Sequence, residues 1–354
     1  MSRFFSEKYA ALTPYTPGEQ PQDQQYVKLN TNESPFPPSP KAQQYAAEEA
    51  ARQQLYSDPT CTRLVKTAAK AFGVAEDELL FTNGSDEILN FAFMAFCDAS
   101  HPAVFPNITY GFYPVFAALN GVPYTELPLR DDFSVNTDDY CGVGKTIFIA
   151  NPNAPTGIAL PRAEIERILR SNPENVVVID EAYVDFGGES CVPLIHEYDN
   201  LLVTQTFSKS RSLAGGRLGV GIGCASLIRD LNTIKYSTNP YNVNRMTMAS
   251  GVGALEDDEY MKANCREIVR VREWTAQTLR ELGFTMTDSK ANFLFAKHEK
   301  LSGGELYRRL KEKGVLVRHF TAPVIADYNR ITVGSMEQMQ TLVRRLEEIL
   351  EETA

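Results

Sequence analysis

The chain has 354 residues, with 35 Lys and Arg against 45 Asp and Glu and a net charge of −10. That length suggests about two domains at ~150 residues each, and the acidic balance argues against a general nucleic-acid or anionic-membrane binder. Six scattered cysteines without a C-x-x-C pair argue against a disulfide framework or zinc knuckle and fit a reducing, cytoplasmic setting. The opening residues carry no apolar leader, and no run approaches the ~18 apolar residues of a membrane span. His101, His196, His298 and His319 lack metal-ligand spacing, so no metal is expected.

Residues 1–40 read as an N-terminal arm. Its end, Pro35-Phe36-Pro37-Pro38-Ser39-Pro40, lacks the backbone donors of a helix or sheet. Tyr9, Leu12, Tyr15, Tyr26, Val27 and Leu29 give it apolar groups with which to dock. Residues 41–255 read as the large domain, and between roughly 60 and 225 short apolar runs alternate with helix-period segments. The runs are Leu79–Phe81, Ala103–Phe105, Thr146–Ala150, Val176–Ile179, Leu201–Thr204 and Leu218–Ile222. Several are apolar throughout, as strands covered on both faces must be. Asp86–Phe96 and Arg162–Arg170 carry helical spacing between them. The expectation is a large, doubly wound α/β domain with a mostly parallel sheet, whose ligands bind beyond the carboxyl ends of its strands.

Residues 256–354 change rhythm and predict a smaller α+β domain. Glu259–Leu282 is one long helical pattern closed by Gly283. Strands are expected at Phe293–Phe295, Val315–Val317 and Arg330–Val333, with capping boxes at Ser302–Glu305 and Ser335–Gln338. Gly142-Val143-Gly144-Lys145-Thr146 mimics the end of a phosphate loop, but Asp139 occupies its first glycine position and a strand follows.

Chemistry gathers where the strands end. Thr146–Ala150 runs into Asn151-Pro152-Asn153-Ala154-Pro155-Thr156-Gly157, a stiff turn presenting an amide. Val176–Ile179 runs into Asp180-Glu181-Ala182-Tyr183, and a carboxylate there is costly unless a cation meets it. Thr206-Phe207-Ser208-Lys209-Ser210 offers a lysine suited to a Schiff base, and Arg217 follows Gly215-Gly216. Asn83-Gly84-Ser85-Asp86 turns from strand to helix, leaving backbone donors that suit a phosphate. Each piece alone has a plain explanation: a helix cap, a solvated lysine, an ordinary turn. Together they supply an amine, an acid for a ring cation, a phenol with an amide, and a phosphate cradle. Those are the demands of pyridoxal 5'-phosphate.

The runs N-P-N-A-P-T-G, D-E-A-Y and S-K-S-R-S-L-A-G-G-R resemble those of the aspartate-aminotransferase superfamily, the fold-type I aminotransferases. Within it the chain is similar over nearly its whole length to the histidinol-phosphate aminotransferases. The resemblance implies that Lys209 holds the cofactor and moves the substrate proton. It implies that Asp180 pairs with the ring nitrogen, that Tyr183 and Asn151 bond the phenolic oxygen, and that Tyr110 stacks on the ring. Ser85, Asp86, Thr206, Ser208 and Arg217 would take the phosphate, and Tyr56 would reach the phosphate of a neighbouring subunit in a homodimer. Arg318 and Arg330 would grip the substrate phosphate or the carboxylate of glutamate, with Asn32 and Tyr15 lining the imidazole side. The implied reaction is transamination of histidinol phosphate with 2-oxoglutarate in histidine biosynthesis. Alternatives are an aromatic aminotransferase, a phosphothreonine decarboxylase of the same fold, and a regulator without turnover, for which the arm is too short to hold a DNA-binding unit. The chain departs from the pattern in three places: Ala154 replaces an asparagine at a turn where little should depend on it, Ser57 replaces a proline beside Tyr56 and should loosen that loop, and Gly216 should loosen the packing before Arg217.

Overall fold

The computed structural model describes residues 2–353; Met1 and Ala354, the outermost residues of the expected arm and smaller domain, lie outside them. A two-residue strand β1 (Val27–Lys28) precedes seven strands that form one sheet. These are β2 (Leu79–Asn83), β3 (Ala103–Pro106), β4 (Tyr124–Leu127), β5 (Thr146–Ala150), β6 (Val177–Asp180), β7 (Leu201–Thr206) and β8 (Leu218–Gly223). Their order is β2-β8-β7-β6-β5-β3-β4, parallel from β7 through β4, with β8 antiparallel to both of its neighbours.

Because side chains alternate across a strand, a run apolar at every position feeds two cores. Ile147, Ile149, Val177 and Ile179 enter one cluster, while Phe148 and Val178 enter another on the opposite face. Helices lie on both sides, including Ser85–Phe96 and Arg162–Ser171. The edge strand β4 was not expected from the sequence: Tyr-Thr-Glu-Leu has no apolar run, and its residues are half-buried or exposed beside a single neighbour.

Five further strands follow: β9 (Phe284–Met286), β10 (Phe293–His298), β11 (Val315–Leu316), β12 (Arg318–His319) and β13 (Asn329–Thr332). Four of them form the antiparallel sheet β12-β13-β10-β9, whereas β11 pairs in parallel with β1 and ties the arm to this sheet's core through buried Leu29. The long helix spans Asp258–Glu281, and Gly283 follows in the left-handed conformation, φ +88°. The box at Ser335 forms in both directions before the helix Met336–Glu351. At Ser302 only half of it does: the serine accepts from the Glu305 backbone, but the Glu305 carboxylate turns to Arg308 and Arg309. A guanidinium attracts that carboxylate more strongly than a backbone donor does. Among the described residues no helix is long and apolar enough to cross a membrane.

Candidate active site

Register brings the strand ends to one rim. Ala150, Asp180 and Thr204 are successive partners across β5, β6 and β7. The polar segments that follow them therefore leave the sheet together, around a cavity of about 430 Å³ that also takes walls from the arm and from β12 and β13. Thirteen of the fifteen expected residues line it: Tyr15, Asn32, Ser85, Asp86, Tyr110, Asp180, Tyr183, Thr206, Ser208, Lys209, Arg217, Arg318 and Arg330. A larger cavity of about 630 Å³, bordered by Asp131–Ser134 and Thr285–Asp288, holds none of them.

Lys209 lies at the cavity's heart, its Nζ 3.1 Å from the carbonyl of Thr31. Burial first, and then the Arg330 guanidinium, lower its pKa from 10.5 to about 8. Neutral amine, the nucleophilic form, is thus available near neutral pH. Asp180 is buried, and burial, reinforced by the Asp86 charge, raises its carboxyl from 3.8 to about 7. Its bonds come from neutral groups, the Ala182 amide at 3.2 Å and the Tyr113 hydroxyl at 3.3 Å. A buried carboxylate without a cation is an unfinished pair, and a ring cation entering the cavity would complete it.

The phosphate end is built on close approach. Gly84 has φ +80°, and a Cβ there would stand 2.4 Å from the Arg217 guanidinium; a Cβ on Gly219 would stand 2.3 Å from the Ser85 nitrogen. These glycines let the start of the helix Ser85–Phe96, with its unpaired amides and positive dipole end, lie beside Arg217. The guanidinium rests 3.4 Å from the Ser208 hydroxyl and 3.3 Å from Asp86, which also accepts the Tyr110 hydroxyl at 2.6 Å. The expected loosening at Gly216 does not occur. Its carbonyl accepts from Thr247 at 2.6 Å, and its amide donates to Leu213 at 3.0 Å.

On the opposite wall Arg318 and Arg330 are directly paired residues of β12 and β13, so both side chains share one face. Arg330 is held by the Asn30 carbonyl at 3.1 Å and lies against Phe293 and Phe320. Its buried Nε has no partner, a donor left for a ligand. Arg318 bonds the carbonyls of Thr16 and Pro17, and Tyr15 stacks on Phe112 at 4.1 Å, so the arm covers the cavity.

Two expected residues lie elsewhere. Asn151 is a correction: its amide is spent on the backbone of Leu160, donating at 3.1 Å and accepting at 2.8 Å, and it does not line the cavity. Ala154 does line it, so the substitution expected to matter little removes an amide from the wall itself. The turn carries Asn151 behind the loop it stabilises, a reversal invisible in the spacing. Tyr56 is 81% exposed on the surface. Its loop is not slack despite Ser57: Arg245 holds the Tyr56 carbonyl at 2.7 Å, and Lys235 the Pro59 carbonyl at 2.8 Å. Asp58 caps Thr60 and Thr62, and the Tyr56 ring stacks on Tyr241 at 4.7 Å. The sequence reading also missed Thr31, which contributes only a carbonyl, and Tyr113, three residues beyond the expected Tyr110.

The profile of the family described as "Aminotransferase class I and II" matches residues 24–346. "Histidinol-phosphate aminotransferase" of Brachyspira hyodysenteriae is 46% identical over 352 residues, covering 99% of both chains. The protein of the same name from a Marinomonas species is 47% identical over 350 residues, 98% of this chain and 99% of that one. The chain belongs to the histidinol-phosphate aminotransferase family. The fold agrees: histidinol-phosphate aminotransferase from Sinorhizobium meliloti, solved with pyridoxal-5'-phosphate, superposes with a TM-score of 0.91 over 100% of this chain and 99% of that one, at 20% identity. The site's residues fit that cofactor: a neutral-capable lysine for its aldehyde, the unpaired acid of Asp180 for its ring nitrogen, and a helix start with Arg217 for its phosphate.

Proposed function

We propose that this chain is a pyridoxal-phosphate-dependent transaminase that moves the amino group of L-histidinol phosphate to 2-oxoglutarate, giving imidazole acetol phosphate and L-glutamate. When bound, the cofactor supplies an electron sink conjugated to the substrate's amino carbon. Lys209 accepts and returns the proton at that carbon, Asp180 holds the ring nitrogen cationic, and Tyr183 donates to the phenolic oxygen. Ser85, Ser208 and Arg217 bind the cofactor phosphate. Arg318 and Arg330 bind the substrate phosphate in one half-reaction and the glutamate side-chain carboxylate in the other, two anions that paired guanidinium groups serve equally well. Tyr15 encloses the imidazole.

The observation that carries the reading is the meeting of Lys209 and Asp180 with two small-domain arginines in one cavity. The test is the formation of glutamate from 2-oxoglutarate with histidinol phosphate as donor, and its absence in cofactor-saturated protein would overturn the assignment. Carbon dioxide release from phosphothreonine would point to the decarboxylase instead. Arg318→Ala should lower kcat/KM for histidinol phosphate by roughly 10- to 100-fold, the worth of a charge-assisted bond. The half-reaction with phenylalanine, which carries no phosphate, should stay near wild type. Equal losses would remove Arg318 from phosphate recognition.

The protein works as a cytoplasmic homodimer in this reading. Tyr56, Leu55, Tyr236 and Tyr241 are exposed together around the pinned loop, an apolar surface suited to a second copy. Sedimentation should give twice the chain mass of 39.5 kDa, and a monomer at micromolar concentration would refute this.

A further inference from the structure

Asn32 was expected to line the imidazole side of the site, but its carboxamide is engaged elsewhere. Its Nδ2 donates to the Tyr183 hydroxyl at 2.9 Å. The other end is fixed by Thr332, whose hydroxyl accepts from the Asn32 backbone amide at 2.9 Å and donates to Asn32 Oδ1 at 3.0 Å. A hydroxyl has one proton. That proton goes to Oδ1, which faces Thr332, and the NH₂ faces the phenol. Asn292 adds a bond to the Asn32 carbonyl at 3.1 Å, and Asn32 itself sits at φ +55°, where few residues other than glycine and asparagine settle.

The consequence falls on Tyr183. With a lone pair taken by Asn32, the phenol's own proton is left to be donated into the cavity. At the neighbouring turn, Ala154 brings no amide to the wall. We propose that Thr332 and Asn32 form a positioning relay that fixes Tyr183 as a hydrogen-bond donor to the cofactor's phenolic oxygen. Asn32 thereby serves the cofactor rather than the imidazole, and Thr332, on β13 of the small sheet, becomes part of the site without touching it. The inference rests on the cofactor reading above.

Donation to that oxygen draws off electron density that otherwise stabilises a proton on the adjacent lysine–cofactor nitrogen. Loss of the donor must therefore raise the pH at which that proton leaves. Arg330, Asp180, Lys209 and Tyr15 also face Tyr183; they are unchanged in a Thr332 variant, so a shift reports on the relay.

The experiment is a pH titration of the visible absorbance of the resting holoenzyme, without substrate. Thr332→Val should raise the midpoint by about one pH unit, Thr332→Ser should leave it at the wild-type value, and Thr332→Val added to Tyr183→Phe should shift it no further. A purely structural role would lower thermal stability in Thr332→Val while leaving the midpoint in place, and that result overturns the relay. Should Thr332→Val not fold, Asn32→Asp tests the same bond by making the partner an acceptor. Its midpoint should rise, by less when Tyr183 is already Phe, and an equal rise in both backgrounds counts against the relay. A wild type without a visible band would end the cofactor reading and the relay together, whereas an unmoved midpoint in Thr332→Val ends the relay alone.

Discussion

Lys209→Ala should slow transamination by at least about 10³-fold, because in the proposed reading it removes both the nucleophile that holds the cofactor and the base that moves the substrate proton. Arg217 and the helix start at one end of the cavity, and Arg318 with Arg330 at the other, remain in place without this lysine, so the variant should still take up cofactor by its phosphate. What should vanish is the covalent link. Borohydride followed by peptide mapping should tag Lys209 in the wild type and tag no lysine in the variant. The lowered pKa adds a kinetic signature. Burial and Arg330 bring the amine to about 8, so the rate of covalent loading should climb as pH rises through 8 and then level off. An ordinary lysine would keep climbing toward 10.5. Arg330→Gln should move this inflection upward by removing the largest lowering cause after burial. A tag on another lysine, or activity within tenfold of wild type, would remove Lys209 from the chemistry.

The large sheet was legible because its signal is local. Strands covered on both faces cannot afford polar residues, so Thr146–Ala150 and Leu218–Gly223 announce themselves, and the polar groups that follow them stand out by contrast. β4 lay outside that logic because its half-exposed residues obey no apolar pattern. The site's members on the sheet were legible for the same reason: Asp180 and Lys209 follow apolar runs. The direction of a side chain within a turn is another matter. Asn151 and Ala154 are three residues apart in one proline-rich loop, and only the folded backbone decides which faces the cavity. Contacts made by backbone atoms, such as the Thr31 carbonyl on Lys209, leave no mark on residue identity. The relay through Thr332 joins positions 300 residues apart, and no local pattern links them.

Asp180→Asn should make the cofactor-free protein more stable and the enzyme nearly inactive. The sign follows from burial. In the folded, cofactor-free chain the carboxyl titrates at about 7, against 3.8 when exposed. Between these values the folded state holds a proton that the unfolded state has released, so stability falls as pH rises from about 4 to about 7, and the deficit persists above. A displacement from 3.8 to about 7 amounts to roughly 4 kcal/mol at most. The amide carries no such charge, so the gain of Asp180→Asn over wild type should be near zero below pH 4 and largest at pH 8. Saturating cofactor should reverse the order, since a ring cation completes the pair in the wild type and finds no partner in the variant. Breaking a buried pair from one side costs about 3–5 kcal/mol, or roughly 10²- to 5 × 10³-fold, and kcat should fall by an amount in that range. Thermal denaturation of both proteins at pH 4 and pH 8, with and without cofactor, reads all four corners. If cofactor stabilised the two proteins equally at pH 8, Asp180 would not be the partner of the ring, and its burial would need another cause.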